Sequence, residues 1–186
     1  ANDPDLDIDS AGFYRPVDLD YYNDVAADVK AILHDAADTV REVSIDEAYL
    51  DVTEQVGWDD DPRAFGARLK AEIHDTVGVI ASIGIAPTMS AAKVASDHDK
   101  PDGLVVVEPD TVQSFLAPLD IEAVHGIGPV TARKLREMDI ETAGDLATAP
   151  ASRIRDTFGE RGREVQQFAR GVDNRSVEPR GKPKSL

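Results

Sequence analysis

The 186 residues carry a formal net charge of −16, 41% hydrophobic residues and no cysteine. The length suits one large domain or two small ones, the hydrophobic share points to neither disorder nor a membrane class, and the missing cysteine excludes disulfides and thiolate metal sites, which fits a cytoplasmic protein. The acidic start Ala1-Asn2-Asp3-Pro4-Asp5 has no signal-peptide character, and the longest apolar run, around Val77 to Ala81, falls far short of the roughly 20 residues that cross a bilayer, so no membrane partner is expected.

Residues 1–16 show alternating Asp and little periodicity and are expected to be irregular. After Asp18, a good N-cap, Tyr22, Val25, Ala26, Val29, Ile32 and Leu33 recur at helical spacing. Val40 to Ile45 and Ala48 to Thr53 read as short strands of a hairpin with Asp46-Glu47 at its turn. Asp61-Pro62 opens a second helix, with Phe65, Leu69, Ile73 and Val77 four apart. A strand at Val79 to Ile85, a short helix containing Ala91, Ala92, Val94 and Ala95, the turn Lys100-Pro101-Asp102-Gly103 and a strand at Leu104 to Val107 follow.

Beyond about residue 108 only short helices are expected, which implies an α+β unit followed by an all-α one, with the boundary near Pro118 to Glu122. The tail from Val177 to Leu186 is basic and Pro-rich and reads as a linker. Charge divides along the same line. Residues 1–92 hold 6 Lys/Arg and 20 Asp/Glu, while the stretch from Gly126 onward holds 12 basic and 9 acidic side chains. The C-terminal third is therefore the part suited to phosphate. Many Asp, seven Lys and abundant Ala and Val point to a halophile.

The stretch Ser44-Ile45-Asp46-Glu47-Ala48-Tyr49-Leu50-Asp51-Val52-Thr53 sets charges among residues that favour a core. A buried carboxylate must be paired, protonated or metal-bound, and two-metal phosphoryl transfer gives a reason to cluster carboxylates. An exposed acidic turn is the commoner outcome for such a pair. The ten residues nevertheless resemble the palm motif of Y-family translesion DNA polymerases, and Phe13 to Asp18 followed by the Tyr22 helix resembles that family's return from fingers to palm. By this resemblance Asp46 and Glu47 are catalytic and ligate Mg²⁺, with Glu47 supporting the metal near the primer 3' hydroxyl.

Gly84 to Gly103 resembles the family's next block, a palm strand running into a helix and ending in Lys-Pro-x-Gly. The resemblance implies that Lys100 meets the triphosphate of the incoming deoxynucleoside triphosphate and that Lys93 lies near the DNA backbone. Taken singly, either lysine is an ordinary surface charge. The chain has Thr88-Met89 where the family usually has Asn-Lys, and Ser90 where it has a larger apolar residue, so one basic contact is lost. His34, His74, His98 and His125 lack zinc-site spacing and are expected to be structural or solvent-facing.

Ile121 to Leu135 contains Gly126-Ile127-Gly128-Pro129 ahead of a helix. A plain turn between helices explains a lone Gly-x-Gly; the longer pattern resembles a helix-hairpin-helix, a motif present in the Y-family thumb. Backbone amides at Gly126, Gly128, Val130 and Thr131 are then the expected contacts to DNA phosphate, without base readout. Phe158 to Gly162 and Phe168 to Val177 resemble the end of the same thumb.

The resemblance thus implies a partial polymerase palm over 1–118, with a mixed or antiparallel sheet and helices on one face, a small all-α helix-hairpin-helix thumb over 119–176, and a basic linker over 177–186 to an absent little-finger domain. It implies lesion-bypass DNA synthesis on primer-template DNA, with a sliding clamp as a further partner through a missing C-terminal region. The family's first catalytic Asp, on a strand before the fingers, is also missing. Asp18-Leu19-Asp20-Tyr21-Tyr22 is only superficially like that motif, since it directly precedes a helix. The chain alone is therefore expected to be inactive in synthesis. A non-catalytic remnant that holds DNA through the helix-hairpin-helix is the main alternative. Another palm-type nucleotidyl transferase or cyclase would share the acidic hairpin without needing residues 121–177, and a purely structural protein would explain none of these blocks.

Overall fold

The computed structural model describes residues 16–179. The readings of residues 1–15 and of the tail beyond 179 lie outside them.

Helix α1 (Leu19–Ala36) starts where Asp18 Oδ1 accepts the Tyr21 amide at 3.1 Å, so Asp18 is a cap. Strands β1 (Thr39–Glu42) and β2 (Ala48–Asp51) pair antiparallel with Val40 opposite Leu50 and Glu42 opposite Ala48. Helix α2 (Pro62–Val77) has the predicted start: Asp61 Oδ1 accepts the Ala64 amide at 2.9 Å and Pro62 fills the first turn, where no amide bond is lost. Ile32, Leu69 and Ile73 are buried between α1 and α2, with Val29, Leu33, Leu50 and Phe65 packed around them.

Strands β3 (Ile83–Ile85) and β4 (Leu104–Val106) run parallel, joined by helix α3 (Met89–His98), as a parallel pair requires a crossover. Gly84 allows α3 to lie directly on β3, because a side chain there would overlap the Ala92 carbonyl and Ser96 amide. One expectation changes here. The predicted strand Val79 to Ile85 is a strand only from Ile83, since Val79 to Ser82 find no ladder partner among the described residues. The mixed strand content matches the expected α+β palm, and among the described residues it forms two two-stranded ladders, one antiparallel and one parallel.

The rest is helical: α4 (Val112–Leu116), a 3₁₀ turn (Ile121–Ala123), α5 (Pro129–Arg136), α6 (Ala143–Thr148) and α7 (Ala151–Ala169). A capping box starts α6, with Thr142 and Asp145 satisfying each other's amides. Helix α7 is interrupted at Gly159, whose φ of 63° and ψ of −147° are non-helical. The buried Gln166 side chain donates to the carbonyls of Leu146 (2.9 Å) and Ala149 (2.8 Å), tying α7 to the end of α6. One apolar cluster runs from Ala91 in α3 through Leu116, Ile121, Leu135, Leu146 and Ile154 to Ala169. It is continuous across residues 118–122.

Beyond α7 the chain returns to the start of α3. There Asp173, its side chain 1% exposed, accepts the buried Ser90 amide at 3.0 Å and pairs with Arg175 at 2.7 Å. The Arg175 guanidinium lies 4.7 Å from the centre of the Phe168 ring.

Candidate functional site

The connection between β1 and β2 brings the acidic pair together. The Val43 and Ser44 amides donate to the Glu47 carbonyl at 2.9 and 3.1 Å, closing a loop that lifts Asp46 and Glu47 out of the strand pleat. Neighbouring strand residues would point to opposite faces, but these two line the same cleft of about 270 Å³. Asp46 is exposed and Glu47 half-buried. The Ser44 hydroxyl donates to Asp46 Oδ1 at 2.7 Å and, helped by the nearby Lys100 and Lys93, holds that carboxyl below its ordinary range. Asp46 is thus an anion at neutral pH.

Lys93 and Lys100 form the positive side of this cleft. Lys93 Nζ is 3.2 Å from Glu47 Oε2 and 3.0 Å from Asp97 Oδ2, and Lys100 Nζ is 2.7 Å from Asp97 Oδ1. Burial pulls the Lys93 ammonium down, but its bonds to Asp97 and Glu47 outweigh burial and leave it raised. Burial pushes Asp97 up, and its bonds to both lysines outweigh that and leave it lowered. Sequence reasoning missed Asp97 altogether, although it lies four residues after Lys93 on one face of α3 and three before Lys100, with alternating charge. The pairing of Lys93 with Glu47, 46 positions apart, has no local signal.

The departures at Thr88-Met89-Ser90 have local structural roles. Thr88 caps α3 by accepting the Ala91 amide at 3.3 Å, Met89 is buried, and Ser90 sits against Asp173. The histidines match their reading as structural or solvent-facing. His34 bonds Glu42 at 3.1 Å, His74 is exposed, His98 meets the Phe115 ring edge-on, and His125 packs on Phe168. Burial, the largest influence, lowers His125 and keeps it neutral. Among the described residues no group of three or more His, Cys, Asp or Glu side chains gathers as a metal site.

The second candidate surface is the turn into α5. Gly126 has a φ of 82°, which favours glycine, whereas Gly128 is extended and a side chain there would meet nothing within 4 Å. Nothing in the fold requires glycine at 128. Among the described residues the amides of Gly128, Val130 and Thr131 have no hydrogen-bond acceptor, Pro129 has no amide proton, and Val130 is 62% exposed. Arg136 is bound to Asp120 (2.8 Å) and Glu122 (3.2 Å), while the exposed Arg133, Lys134, Arg153 and Arg155 form no ion pair among the described residues.

Comparison with known proteins gives the same order of parts. The impB/mucB/samB family model matches residues 7–97, and the model of the IMS family HHH motif matches residues 109–140. The DNA polymerase IV of Halobacterium salinarum is 61% identical over 97% of this chain and 44% of its own length, and that of Methanoculleus marisnigri is 40% identical over 97% and 50%. The chain therefore spans about half the length of these relatives. Among solved structures, DinB from Sulfolobus solfataricus aligns with a TM-score of 0.82 at 31% identity, over 89% of this chain and 49% of that one. An insertion ternary complex of Dbh DNA polymerase aligns equally well, with a TM-score of 0.82 at 31% identity over the same shares. The halophilic relative accords with the acidic composition. Among the described residues no helix is long and apolar enough to cross a membrane. With both family models matched in order, and palm-like and thumb-like parts following each other as in those structures, the chain belongs to the Y-family DNA polymerases and is a partial member, made of part of a palm and a helix-hairpin-helix thumb.

Proposed function

We propose that this chain is part of a polymerase that performs template-directed DNA synthesis past lesions, with residues 1–118 serving as partial palm, 119–176 as thumb and 177–186 as linker to a little-finger domain. The observation that carries the reading is the cleft in which Asp46 and Glu47 face Lys93 and Lys100. Carboxylates that accept a divalent cation, next to ammonium groups that meet phosphate, suit nucleotidyl transfer.

Asp46 and Glu47 are hard oxygen donors that fit Mg²⁺, and Asp46 is kept ionised by Ser44. Two carboxylates are fewer than a two-metal site needs, so a further ligand comes from outside these residues. When bound, Mg²⁺ supplies activation of the primer hydroxyl and charge stabilisation on the transferred phosphoryl group. Lys100, held by Asp97 at 2.7 Å, points a charge at the triphosphate side. Lys93 balances Glu47 rather than reaching out along the duplex, and a role at the DNA backbone is secondary for it. The open amides of Gly128, Val130 and Thr131, with Gly126 shaping their turn, grip duplex phosphate without reading sequence.

The test is primer extension with Mg²⁺ and four deoxynucleoside triphosphates by the full-length polymerase and its D46N variant. Loss of a metal ligand is expected to cost about a thousandfold or more in rate. Retained synthesis in D46N would remove Asp46 from the metal set. The non-catalytic DNA-binding reading has one observation in its favour: Thr88-Met89 serve a helix cap and the core in place of a basic contact. Duplex binding without synthesis by the full-length protein would select it.

A further inference from the structure

The turn between Val124 and Gly128 is held from two sides. Within it the Ile127 amide donates to the Val124 carbonyl at 3.0 Å. From outside, Arg161 Nη2 donates to the Gly126 carbonyl at 3.1 Å, across 35 positions of sequence. Arg161 follows the Gly159 interruption of α7, and Glu164, three residues on, pairs with its other terminal nitrogen. The guanidinium lies so close to Gly126 that a side chain at that position would overlap it. Gly126 is therefore favoured by its positive φ, and a side chain there would have to displace the Arg161 guanidinium.

We propose that Arg161 is a positioning residue for the phosphate grip of the helix-hairpin-helix. This inference rests on the DNA-binding reading above and adds to it a residue outside the motif. A backbone turn built on glycine is loose unless something fixes its peptide planes. Arg161 fixes the Gly126–Ile127 plane, and the open amides of Gly128, Val130 and Thr131 follow directly from it. A site already ordered before the ligand arrives loses less freedom on binding. The planar fork of arginine is what allows one side chain to serve the Gly126 carbonyl and the Glu164 carboxylate together; a lysine has the charge without the fork. The interruption at Gly159 thereby gains a purpose, since it starts a new helical segment whose first turn carries Arg161 to the hairpin.

The experiment measures duplex affinity of the chain by fluorescence anisotropy across a salt series for wild type, R161K, R161A and G128D, with thermal unfolding of each. The expected result is that R161K and R161A each bind about tenfold more weakly than wild type, the size of one charge-assisted hydrogen bond, at unchanged folding. R161K keeps the wild-type salt slope, and without DNA its Ile127 amide, which bonds the Val124 carbonyl from the same peptide plane that Arg161 holds, exchanges faster with solvent. An R161K variant that binds like wild type, with R161A losing about one unit of salt slope, would make Arg161 a direct phosphate contact and overturn the proposal. Wild-type amide exchange in R161K would overturn it too. Loss of binding in G128D with none in R161K sinks this inference alone, whereas a wild-type chain that ignores duplex DNA sinks both it and the DNA-binding reading.

Discussion

Between Ala91 and Ala169 the buried apolar residues form one continuous cluster, whereas the cluster between α1 and α2 buries only Ile32, Leu69 and Ile73 fully. Large apolar residues left exposed show the reverse: among the described residues Val17, Leu19, Tyr21, Tyr22, Val43, Ile45, Trp58 and Ile80 precede residue 81, and only Val130 and Val172 follow it. Several of the first group line an open trough beside the acidic pair, together with Lys100. Helices α4 to α7 build the continuous cluster together with Ala91, Val94 and Ala95 of α3, and of the four only α6 carries a side-chain N-cap. The palm half has a thin core and two-stranded ladders, and two strands alone are marginal in water. The glycine turn before α5 thus sits on the better enclosed part of the molecule, and the carboxylates sit on the less enclosed part.

Core truncation probes this contrast most strongly. L146A or I154A, both at fully buried positions, is expected to cost about 2–5 kcal/mol in urea unfolding. If either cost less than I80A, the thumb core would not be the stable half. Next in size is the tie between the halves. D173A leaves the buried Ser90 amide without its acceptor and Arg175 without its partner, and about 1–3 kcal/mol of destabilisation is expected.

That tie also carries a pH signature. Burial pushes the Asp173 carboxyl up, but its bonds from Arg175 outweigh burial and hold it below the ordinary carboxylate value. A depressed carboxyl stabilises the fold fully above the unfolded value, near 4, and the contribution fades as pH falls through the lower folded value. The stability gap between wild type and D173N should therefore close on acidification below about pH 4; a gap that widens there would refute the assignment. The smallest effect belongs to the open face: I80A, at a side chain 60% exposed, should stay within about 0.5 kcal/mol of wild type.

Where one short window contains both partners of an interaction, sequence reading located it. Asp18 before α1 and Asp61-Pro62 before α2 are caps of this kind, as is the acidic turn between β1 and β2, because capping and alternation act over a few residues. The family blocks singled out Asp46, Glu47 and Lys100, which the fold brings to one cleft. What escaped it depends on the fold. Lys93 meets Glu47 only because Gly84 lets α3 lie on β3, and Asp173 meets Ser90 only after α7 has returned the chain. Val79 to Ser82 look like strand by composition, but a strand needs a backbone partner and composition does not supply one. Arg161 offered no sign of its place at Gly126, since the Gly159 interruption that directs it lies within an otherwise helical pattern.

The proposed function divides labour between grip in the thumb turn and chemistry at the palm carboxylates. Duplex binding by wild type, G128D and D46N at one fixed salt concentration tests it most directly. G128D places a negative charge where phosphate is proposed to bind, at a position where an added Cβ meets nothing within 4 Å, and should abolish measurable binding, a loss of about a hundredfold or more. D46N removes a negative charge from the cleft and should bind as tightly as wild type or slightly better. Weak binding by D46N together with undiminished binding by G128D would contradict the account.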